Sequence, residues 1–306
     1  MLFIYGFTCY NIPMDIRVLK YFLAVSQEEN VTKAAELLHT TQPNLSRQLN
    51  ELEEELGKKL FERGSRKIVL TEEGMFLRKR AKEIVELTER TETEIADYDK
   101  LASGVVHIGA AETFAMRKLA EIMIDLQNDY PSVTFDIFSG STIEVTEQLN
   151  KGLLDFGVLV APVDLSNYDY IKFPQNDIFG VIMRKDSPLA ELPYIRPEDI
   201  RDKPVIVAKQ QLDGNMLSGW LGGDIESLNV VSTFNLITTP SMMVAAGLGY
   251  AFTFDKLVNT GNDSELTFRP LEPHLDTSLY LVWQKYQMFT KAAKVFLERV
   301  QTKLLS

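Results

Sequence analysis

Four leucines in the N-terminal part constrain the fold of this chain more than any other feature. Leu45, Leu49, Leu52 and Leu56 recur at spacings of four, three and four residues, which places them on one face of a helix. Pro43 precedes them, and the first turn of a helix tolerates its missing N–H. We therefore predict a helix that begins near residue 42 and turns its leucines toward a core.

The opposite face of this third helix is polar. It carries short amides, a hydroxyl and a guanidinium, which can hydrogen-bond to base edges and phosphates in a DNA major groove. Acidic side chains begin only at Glu51. The candidate DNA-binding residues on the helix are Gln42, Pro43, Asn44, Ser46 and Arg47.

Two shorter helices are predicted before it. Between Asp15 and Gln27 apolar residues recur at helical intervals, and a second helix runs to Leu38 with Asn30 or Thr32 as its N-cap. Small side chains in the second helix allow close approach of a neighbour. The first helix is predicted to bury Ile16, Leu19, Phe22 and Leu23, with Val25 at the margin, and the small residues are Ala34 and Ala35.

A basic hairpin is predicted after Gly57, which stops the third helix. Residues 58–70 have the pattern of a strand, a Gly-Ser turn and a second strand, and we call this segment the wing. Arg63, Arg66 and Lys67 lie near its tip, where they can contact the DNA backbone or minor groove. A small helical bundle with a solvated polar face is the alternative that periodicity alone leaves open.

Many fixed spacings in this region resemble the winged helix-turn-helix of LysR-type transcriptional regulators. The resemblance implies a DNA-binding domain over 14–70 and disfavours the bundle. It extends more loosely over the rest of the chain, although family members usually begin near Met14, so the first thirteen residues depart from the pattern. The matching motifs include Ala34-Ala35, Leu37-Leu38, Thr41-Gln42-Pro43, Leu45-Ser46, Leu56-Gly57, Leu60-Phe61, Leu70-Thr71, Gly74, Gly152-Leu153-Leu154-Asp155 and Gly247-Leu248-Gly249.

A long charged segment follows the wing. It contains no Pro or Gly from Met75 to Ser103, and its apolar residues keep roughly heptad spacing. We predict one linker helix over 71–103, in which about 30 residues at 1.5 Å each extend about 45 Å. We expect it to pack against a second copy of the chain, as the resemblance also implies. An exposed helix held by its own charge pairs is the alternative. The stripe consists of Ile84, Leu87, Thr91, Ile95 and Tyr98.

Apolar strands alternate with helices beyond Gly104, which indicates parallel α/β units. We predict an α+β multidomain protein whose C-terminal α/β effector-binding domain, 104–306, resembles periplasmic binding proteins. Its subdomain I covers 104–161 and 266–306, and its subdomain II covers 162–265. The predicted strands lie at 105–110, 133–138, 156–160, 178–184, 205–208, 230–234, 250–254 and 278–283, with helical segments including 216–221 and 242–246.

Ligands of open α/β sheets bind beyond the carboxyl ends of strands, where helices begin. Two turns fit this rule in subdomain I, and their hydroxyls either cap a helix or bind a ligand. The resemblance implies effector contacts at the same turns and adds residues of subdomain II. Because Glu112 would repel a simple anion, a ligand with both an ammonium and a carboxylate, or a neutral polar one, remains open. The candidate effector-binding residues are Glu112, Thr113, Ser141, Thr142, Thr238, Thr239 and Thr253.

Composition and motifs narrow the remaining function classes. The net charge is −11, but residues 14–70 hold nine basic and nine acidic side chains, so a basic face can form there. No apolar run approaches the roughly 18 uncharged residues of a membrane span. Cys9 is the single cysteine, which fits a reduced cytoplasmic setting. The sequence has no Gly-x-Ser-x-Gly nucleophile elbow, no phosphate-binding loop and no His-Glu-x-x-His zinc-protease motif, and we expect His107 to lie in a core. We therefore predict no catalytic residue, no metal site and no cofactor.

We therefore predict a cytoplasmic, homo-oligomeric regulator that binds double-stranded DNA and responds to an unidentified small-molecule effector, without a membrane partner. Whether dimers pair into tetramers is left open. The rival functions are a solute-binding protein and a metabolic enzyme. The first thirteen residues lack Lys, Arg and a cleavage site, which disfavours a secretory signal. The enzyme hypothesis lacks a motif.

Overall fold

The computed structural model describes residues 14–63, 67–96, 103–212, 215–223 and 225–305. The chain divides into two compact units, one ending at Ala96 and the other beginning at Asp97. Within the described residues, no helix is both long and apolar enough to cross a membrane.

The N-terminal unit contains three short helices, a hairpin and a long helix. Asn30, not Thr32, caps the second helix by accepting two backbone N–H groups. Gly57 ends the third helix in the left-handed conformation, with φ +61°. The two strands of the wing pair antiparallel. The elements are α1 (Ile16–Glu28), α2 (Val31–Leu37), α3 (Gln42–Leu56), β1 (Phe61–Arg63), β2 (Ile68–Leu70) and α4 (Glu72–Ala96).

The leucine stripe of α3 is buried over most of its length. Leu45, Leu49 and Leu52 lie in the core, as predicted. Leu56 is exposed, contrary to the prediction, because it lies on the last turn, where the chain leaves the helix at Gly57.

The buried face of α1 is wider than its sequence predicts. Val25, predicted at the margin, is fully buried, and so is Val18. Ile16 and Leu23 are only half-buried. The face is wider because α1 packs against α4 as well as against α2 and α3.

The linker helix is described as α4 up to Ala96, whereas Tyr98 and the rest of the predicted span up to 102 lie outside the described residues. On one face, Ala81 and Val85 are buried in the N-terminal core. The predicted stripe lies elsewhere on the helix and is exposed. Its described members are Ile84, Leu87, Thr91 and Ile95.

Besides two short 3-10 helices, Pro188–Glu191 and Ile225–Ser227, the C-terminal unit contains eleven strands and seven α-helices within the described residues. In chain order they are β3 (Gly104–Ala110), α5 (Ala115–Asp129), β4 (Val133–Ser139), α6 (Thr142–Asn150), β5 (Phe156–Val160), β6 (Tyr168–Lys172), β7 (Asp177–Arg184), α7 (Pro197–Ile200), β8 (Pro204–Ala208), α8 (Lys209–Leu212), α9 (Asn215–Trp220), β9 (Asn229–Phe234), α10 (Thr238–Ala245), β10 (Tyr250–Phe254), β11 (Leu266–Pro270), β12 (Asp276–Thr277), β13 (Leu279–Gln284) and α11 (Lys291–Leu304).

These strands form two mixed sheets. The first has the order β4-β3-β5-β13-β6, and the second has the order β11-β7-β10-β8-β9, with β12 beside β7. The pairs that β3 makes with β4 and β5 are parallel, as are those that β8 makes with β9 and β10. These pairs are the predicted parallel α/β units. Strands β13 and β7 run antiparallel to their neighbours because the chain enters a sheet from the other subdomain at these strands.

The strand pairing also differs from the predicted subdomain limits. Residues 168–172, predicted in subdomain II, form β6 and pair with β13 in the first sheet. Residues 266–270, predicted in subdomain I, form β11 and pair with β7 in the second sheet. The chain therefore passes from the first sheet to the second after Lys172 and returns after β12. Strands β6 and β11 belong to the sheet that the chain is about to leave, because their backbone hydrogen bonds are satisfied there.

Helix α10 begins four residues before the predicted helix at 242–246. Pro240 lies in its first turn, where a missing N–H breaks no helical hydrogen bond. Thr238 and Thr239 therefore open a helix instead of ending a loop.

Candidate functional site

The polar residues predicted on the outer face of α3 lie on that face in the structure. Gln42, Pro43 and Arg47 are exposed, and Asn44 and Ser46 are half-buried. The N-cap side chain makes no capping hydrogen bond, so the first turn presents backbone N–H groups without a side-chain cap.

Side-chain hydrogen bonds hold this face in a defined arrangement. The amide of Gln42 donates to Ser46 Oγ at 2.8 Å, and Arg47 donates to Asn44 Oδ1 at 3.2 Å. Asn44 in turn donates to Thr40 Oγ1 at 3.1 Å. Orienting the side chains before binding lowers the entropy lost on contact with a partner.

Glu53 joins α3 to the wing. Its buried carboxylate accepts the backbone N–H groups of Leu60 at 2.8 Å and Phe61 at 3.2 Å, and the ammonium of Lys59 lies 2.6 Å away. Although burial raises the pKa of Glu53, these hydrogen bonds bring it below its usual value. Sequence reasoning did not identify Glu53 as a buried residue. The available signal is its position four residues after Leu49, which places it beside the buried leucine face of α3.

The predicted wing cations are described only in part. Lys67 forms an ion pair with Glu29, which ties the second wing strand to the end of α1. The side chain of Arg63 and the whole of Arg66 lie outside the described residues. A groove of about 530 Å³ separates the wing from α3, and Gln42, Ser46 and Lys67 are among its lining residues.

Two predicted residues of subdomain I lie where β3 ends. Glu112 Oε2 accepts the backbone N–H of Ile237, across the cleft in subdomain II, at 2.7 Å. Burial raises the pKa of Glu112. Thr113 is buried, and its Oγ1 accepts the N–H of Ala115 at 3.1 Å at the start of α5. Glu112 thus bridges the two subdomains, whereas Thr113 holds the start of α5 and also hydrogen-bonds to Asp177 at the entry of subdomain II.

The second predicted turn also includes a cap and a bridge. Ser141 and Glu144 form a reciprocal capping box at the start of α6. The N–H of Thr142 donates to Oε1 of Gln210, on α8 of subdomain II, at 3.3 Å. The Thr142 hydroxyl accepts the N–H of Val160 at 3.4 Å.

The predicted residues of subdomain II fall into two groups. Thr238 and Thr239 are exposed in the first turn of α10, directly after Ile237, and thus close to Glu112. Thr253 is buried within β10, opposite Gly180 of β7, and the structure does not bring it to the cavity described next.

A cavity of about 430 Å³ lies between the subdomains, beside the Thr142–Gln210 contact. Sequence reasoning missed its residues from subdomain II, although they lie at the carboxyl ends of the predicted strands at 205–208 and 230–234 or directly after them. Its polar lining residues are Ser141, Glu144, Lys209, Gln210, Thr233 and Asn235.

Asp177 is a further residue that sequence reasoning missed. It is buried at the start of β7, where the chain enters subdomain II, and it accepts the N–H of Phe114 at 3.1 Å. Burial raises its pKa, the Asp255 charge adds to that effect, and hydrogen bonds from Thr113 and Phe114 oppose it. Asp177 thus links the entry of subdomain II to the start of α5.

Comparison with known families covers both units. The family described as "Bacterial regulatory helix-turn-helix protein, lysR family" matches residues 16–75, and "LysR substrate binding domain" matches residues 99–305. The chain belongs to the LysR family of transcriptional regulators. It is a DNA-binding regulator with an effector-binding domain, as its sequence predicts. Members of this family are transcriptional regulators.

Individual relatives agree with this assignment. The Hca operon transcriptional activator HcaR of Escherichia coli is 27% identical over 96% of this chain and 99% of its own length. The regulator BsdA of Bacillus subtilis is 34% identical over 64% of this chain and 67% of its own length. The crystal structure of full-length CbnR with its target DNA has a TM-score of 0.73 at 19% identity, over 95% of this chain and all of that chain. This structural similarity supports the fold of the LysR regulator.

Within the part of the chain that the structure describes, no three His, Cys, Asp or Glu side chains are grouped to hold a metal. His107 is partly buried in β3, and its Nδ1 lies 3.4 Å from the buried carboxylate of Asp155. Asp155 also accepts the backbone N–H of His107 at 2.8 Å.

Proposed function

We propose that this LysR regulator reads its operator with α3 in the major groove and contacts the DNA backbone with its wing. Gln42, Asn44, Ser46 and Arg47 face the bases, Pro43 sets the start of the helix, and Arg63, Arg66 and Lys67 contact phosphates. The observation that carries the proposal is the oriented polar face of α3, in which Gln42 is bound to Ser46 and Arg47 to Asn44. Release of Lys67 from Glu29 accompanies its contact with phosphate.

We infer that a small-molecule effector binds in the cleft between the subdomains. The contacts of Glu112 and Thr142 across the cleft support this, since a ligand that changes either contact alters how the subdomains are held. Ser141 and Thr113 position the turns, and Thr238 and Thr239 flank the ligand from α10. Thr253 enters the site only if β10 becomes accessible, since it is buried here.

The protein acts as a homodimer through the exposed stripe of α4. Its apolar members Ile84, Leu87 and Ile95 are accessible in the single chain, and burial of such a stripe against its copy stabilises a dimer. Two linked winged helices then bind a two-fold-related DNA site. We place the protein in the cytoplasm, where a regulator meets its DNA, and assign it no catalytic activity.

The test is selection of genomic fragments retained by the purified full chain, followed by affinity measurements on the selected site. Affinity is expected to fall steeply with salt concentration, because each phosphate contact releases counterions. Measurements between about 50 and 200 mM salt quantify this slope. Absence of retained DNA at the lowest salt concentration would contradict the proposal.

A further inference from the structure

Three consecutive residues after β3 connect subdomain I to subdomain II. Glu112 accepts the N–H of Ile237 at 2.7 Å, and Thr113 hydrogen-bonds to Asp177. Phe114 donates its backbone N–H to Asp177 Oδ2 at 3.1 Å. Each of these contacts crosses from one subdomain to the other, so the first effector turn stays beside subdomain II while they last.

The ring of Phe114 makes a further contact across the same boundary. The Lys256 ammonium lies 5.2 Å from the ring centroid, and the Arg117 guanidinium lies 5.9 Å from it. Arg117 belongs to α5 of subdomain I, whereas Lys256 lies two residues after β10 of subdomain II. The negative face of an aromatic ring attracts cations. The ring therefore attracts one cation from each subdomain, and only the contact with Lys256 joins the two.

The backbone of Lys256 indicates that its side chain has a role. Its φ is +66°, in the left-handed region that glycine adopts freely and that other residues adopt at a cost in free energy. Backbone strain of this kind is concentrated at functional positions. The ammonium also lies 3.9 Å from Asp255 in its own subdomain. A glycine would relieve the strain but could not reach the Phe114 ring.

Strand pairing places Lys256 beside Asp177. Strands β7 and β10 run antiparallel, with Phe179 opposite Phe254, so the start of β7 and the residues after β10 lie at one end of the second sheet. Phe114 contacts this end twice, through its N–H and through its ring. Both contacts are lost together if the sheet moves away from subdomain I.

We propose that the contact between Phe114 and Lys256 holds the two subdomains together and thereby sets how often the effector cleft opens. Lys256 is a positioning residue, because it acts on the first effector turn through the Phe114 ring. When the subdomains separate, the ring loses Lys256, and the N–H groups of Ile237 and Thr142 lose their acceptors across the cleft. This inference rests on the proposed effector role of the cleft.

Amide hydrogen exchange of the full-length protein, resolved by NMR, measures this opening without any effector. The reporters are the amides of Ile237 and Thr142, because each donates to a side chain of the other subdomain. Their exchange rates follow the fraction of molecules in which the cleft is open. Thr142 lies on the second effector turn, so a disturbance confined to Phe114 does not reach it.

The decisive variants change the charge of Lys256 with little change in its size. Lys256→Met is expected to speed exchange of both reporters by about two- to fivefold, the loss expected for an exposed cation–π contact. Lys256→Arg keeps a cation at the ring and should retain the rates of the parent. Arg117→Met is the matched control, because it removes the other cation from the same ring within subdomain I, and it should leave both rates unchanged.

A second variant tests whether the ring is the partner. Phe114→Leu keeps the N–H for Asp177 and removes the π system, so it should speed exchange as Lys256→Met does, and the double variant should exchange no faster than either. Additive effects would overturn the proposal, because Lys256 would then act through Asp177, whose carboxylate it also influences. Unchanged exchange of Thr142 in Lys256→Met would overturn it as well.

Failure of this inference is distinguishable from failure of the proposed function. Unchanged exchange in Lys256→Met contradicts the role of the ring contact, whatever the cleft binds. A full effector response of the double variant Thr113→Val, Thr142→Val in a promoter reporter contradicts the effector role of the cleft, and the exchange rates of the parent and Lys256→Met do not depend on that result.

Discussion

The carboxylate of Glu53 accepts the backbone N–H of Leu60 at 2.8 Å, so a side chain of α3 fixes the chain where the wing begins. Glu53→Ala leaves this N–H and that of Phe61 without their acceptor. Loss of a buried partner typically costs about 1 to 3 kcal/mol, and we expect that decrease in the free energy of unfolding of the N-terminal unit. Calorimetry of the full chain measures it, with the exposed neighbour Glu54→Ala as the control.

Glu53 also makes the stability of this unit depend on pH. Because its folded pKa is lowered, its stabilising contribution is present above the unfolded pKa of about 4.3 and is lost as the pH falls through the folded value. The difference in stability between the parent and Glu53→Gln should therefore shrink below about pH 4.3. A difference that stays constant to the lowest pH would show that the charge is irrelevant.

Arg47→Ala and Gln42→Ala are expected to reduce discrimination between operator and random DNA. A bidentate base contact typically contributes about 1 to 3 kcal/mol of discrimination. Arg63→Ala and Arg66→Ala, in contrast, should weaken binding to all DNA sequences evenly and reduce the dependence of affinity on salt concentration. Fluorescence anisotropy on the two DNAs measures both effects. Arg117→Ala, which removes an exposed cation from α5, is the matched control. Full operator affinity in Arg47→Ala would mean that α3 does not read bases.

Leu87→Asp and Ile95→Asp are expected to convert the protein into a monomer. Each variant places a charge in the stripe that we propose to be buried between two copies of α4, and the monomer loses operator affinity because linked half-sites no longer raise the local concentration of the second domain. Sedimentation velocity measures the mass. Lys82→Asp introduces the same group on another face of α4 and should leave the mass unchanged, whereas dimeric Leu87→Asp and Ile95→Asp would place the interface elsewhere.

The double variant Thr113→Val, Thr142→Val is expected to lose the effector response and to keep DNA binding. Both hydroxyls hold turns that line the cleft, while the winged helix belongs to the other unit. A reporter fused to the target promoter, in cells grown where the parent responds, measures the response. Thr146→Val on the outer part of α6 is the control. A full response in the double variant would place the sensor elsewhere.

Asp177→Asn is expected to stabilise the C-terminal unit at neutral pH. The folded pKa of Asp177 is raised by burial, so the parent loses stability as the pH rises from the unfolded value of about 3.9 through the folded value. Asparagine keeps an oxygen for the Phe114 N–H without the buried charge. Calorimetry from pH 4 to 7 should give a difference that grows with pH, and Asp255→Asn tests how much of the shift comes from its neighbour. A difference independent of pH would contradict this account.

The winged helix was predictable because its information is local. Helical spacing specifies which face of α3 is polar, and Gly57 specifies where the helix ends. Glu53 was missed because it stands among several other glutamates, and such acidic segments usually face solvent. Its role as a buried acceptor depends on the position of Leu60 in the folded chain, which the local sequence does not specify.

The sequence predicted the residues of the effector cleft that come from subdomain I better than those that come from subdomain II. The rule that ligands lie beyond strand ends identified Glu112 and Thr142, which follow two clear strands. Lys209 and Gln210 lie on a helix of four residues, too short for any periodicity, and Gln210 became visible only through its contact with Thr142. Thr253 came from the resemblance alone, and its burial in β10 reflects pairing with β7, a strand distant in sequence.

The place of β13 between β5 and β6 sets an order of events during synthesis on the ribosome. The N-terminal unit ends at Ala96, and every strand and helix described in it has been synthesised once that residue has emerged. The first sheet of the effector domain lacks an interior strand until Gln284 has emerged, so β5 and β6 meanwhile expose unpaired edges that invite aggregation. A nascent chain therefore carries a complete DNA-binding unit for nearly two hundred residues before its ligand-sensing domain can close.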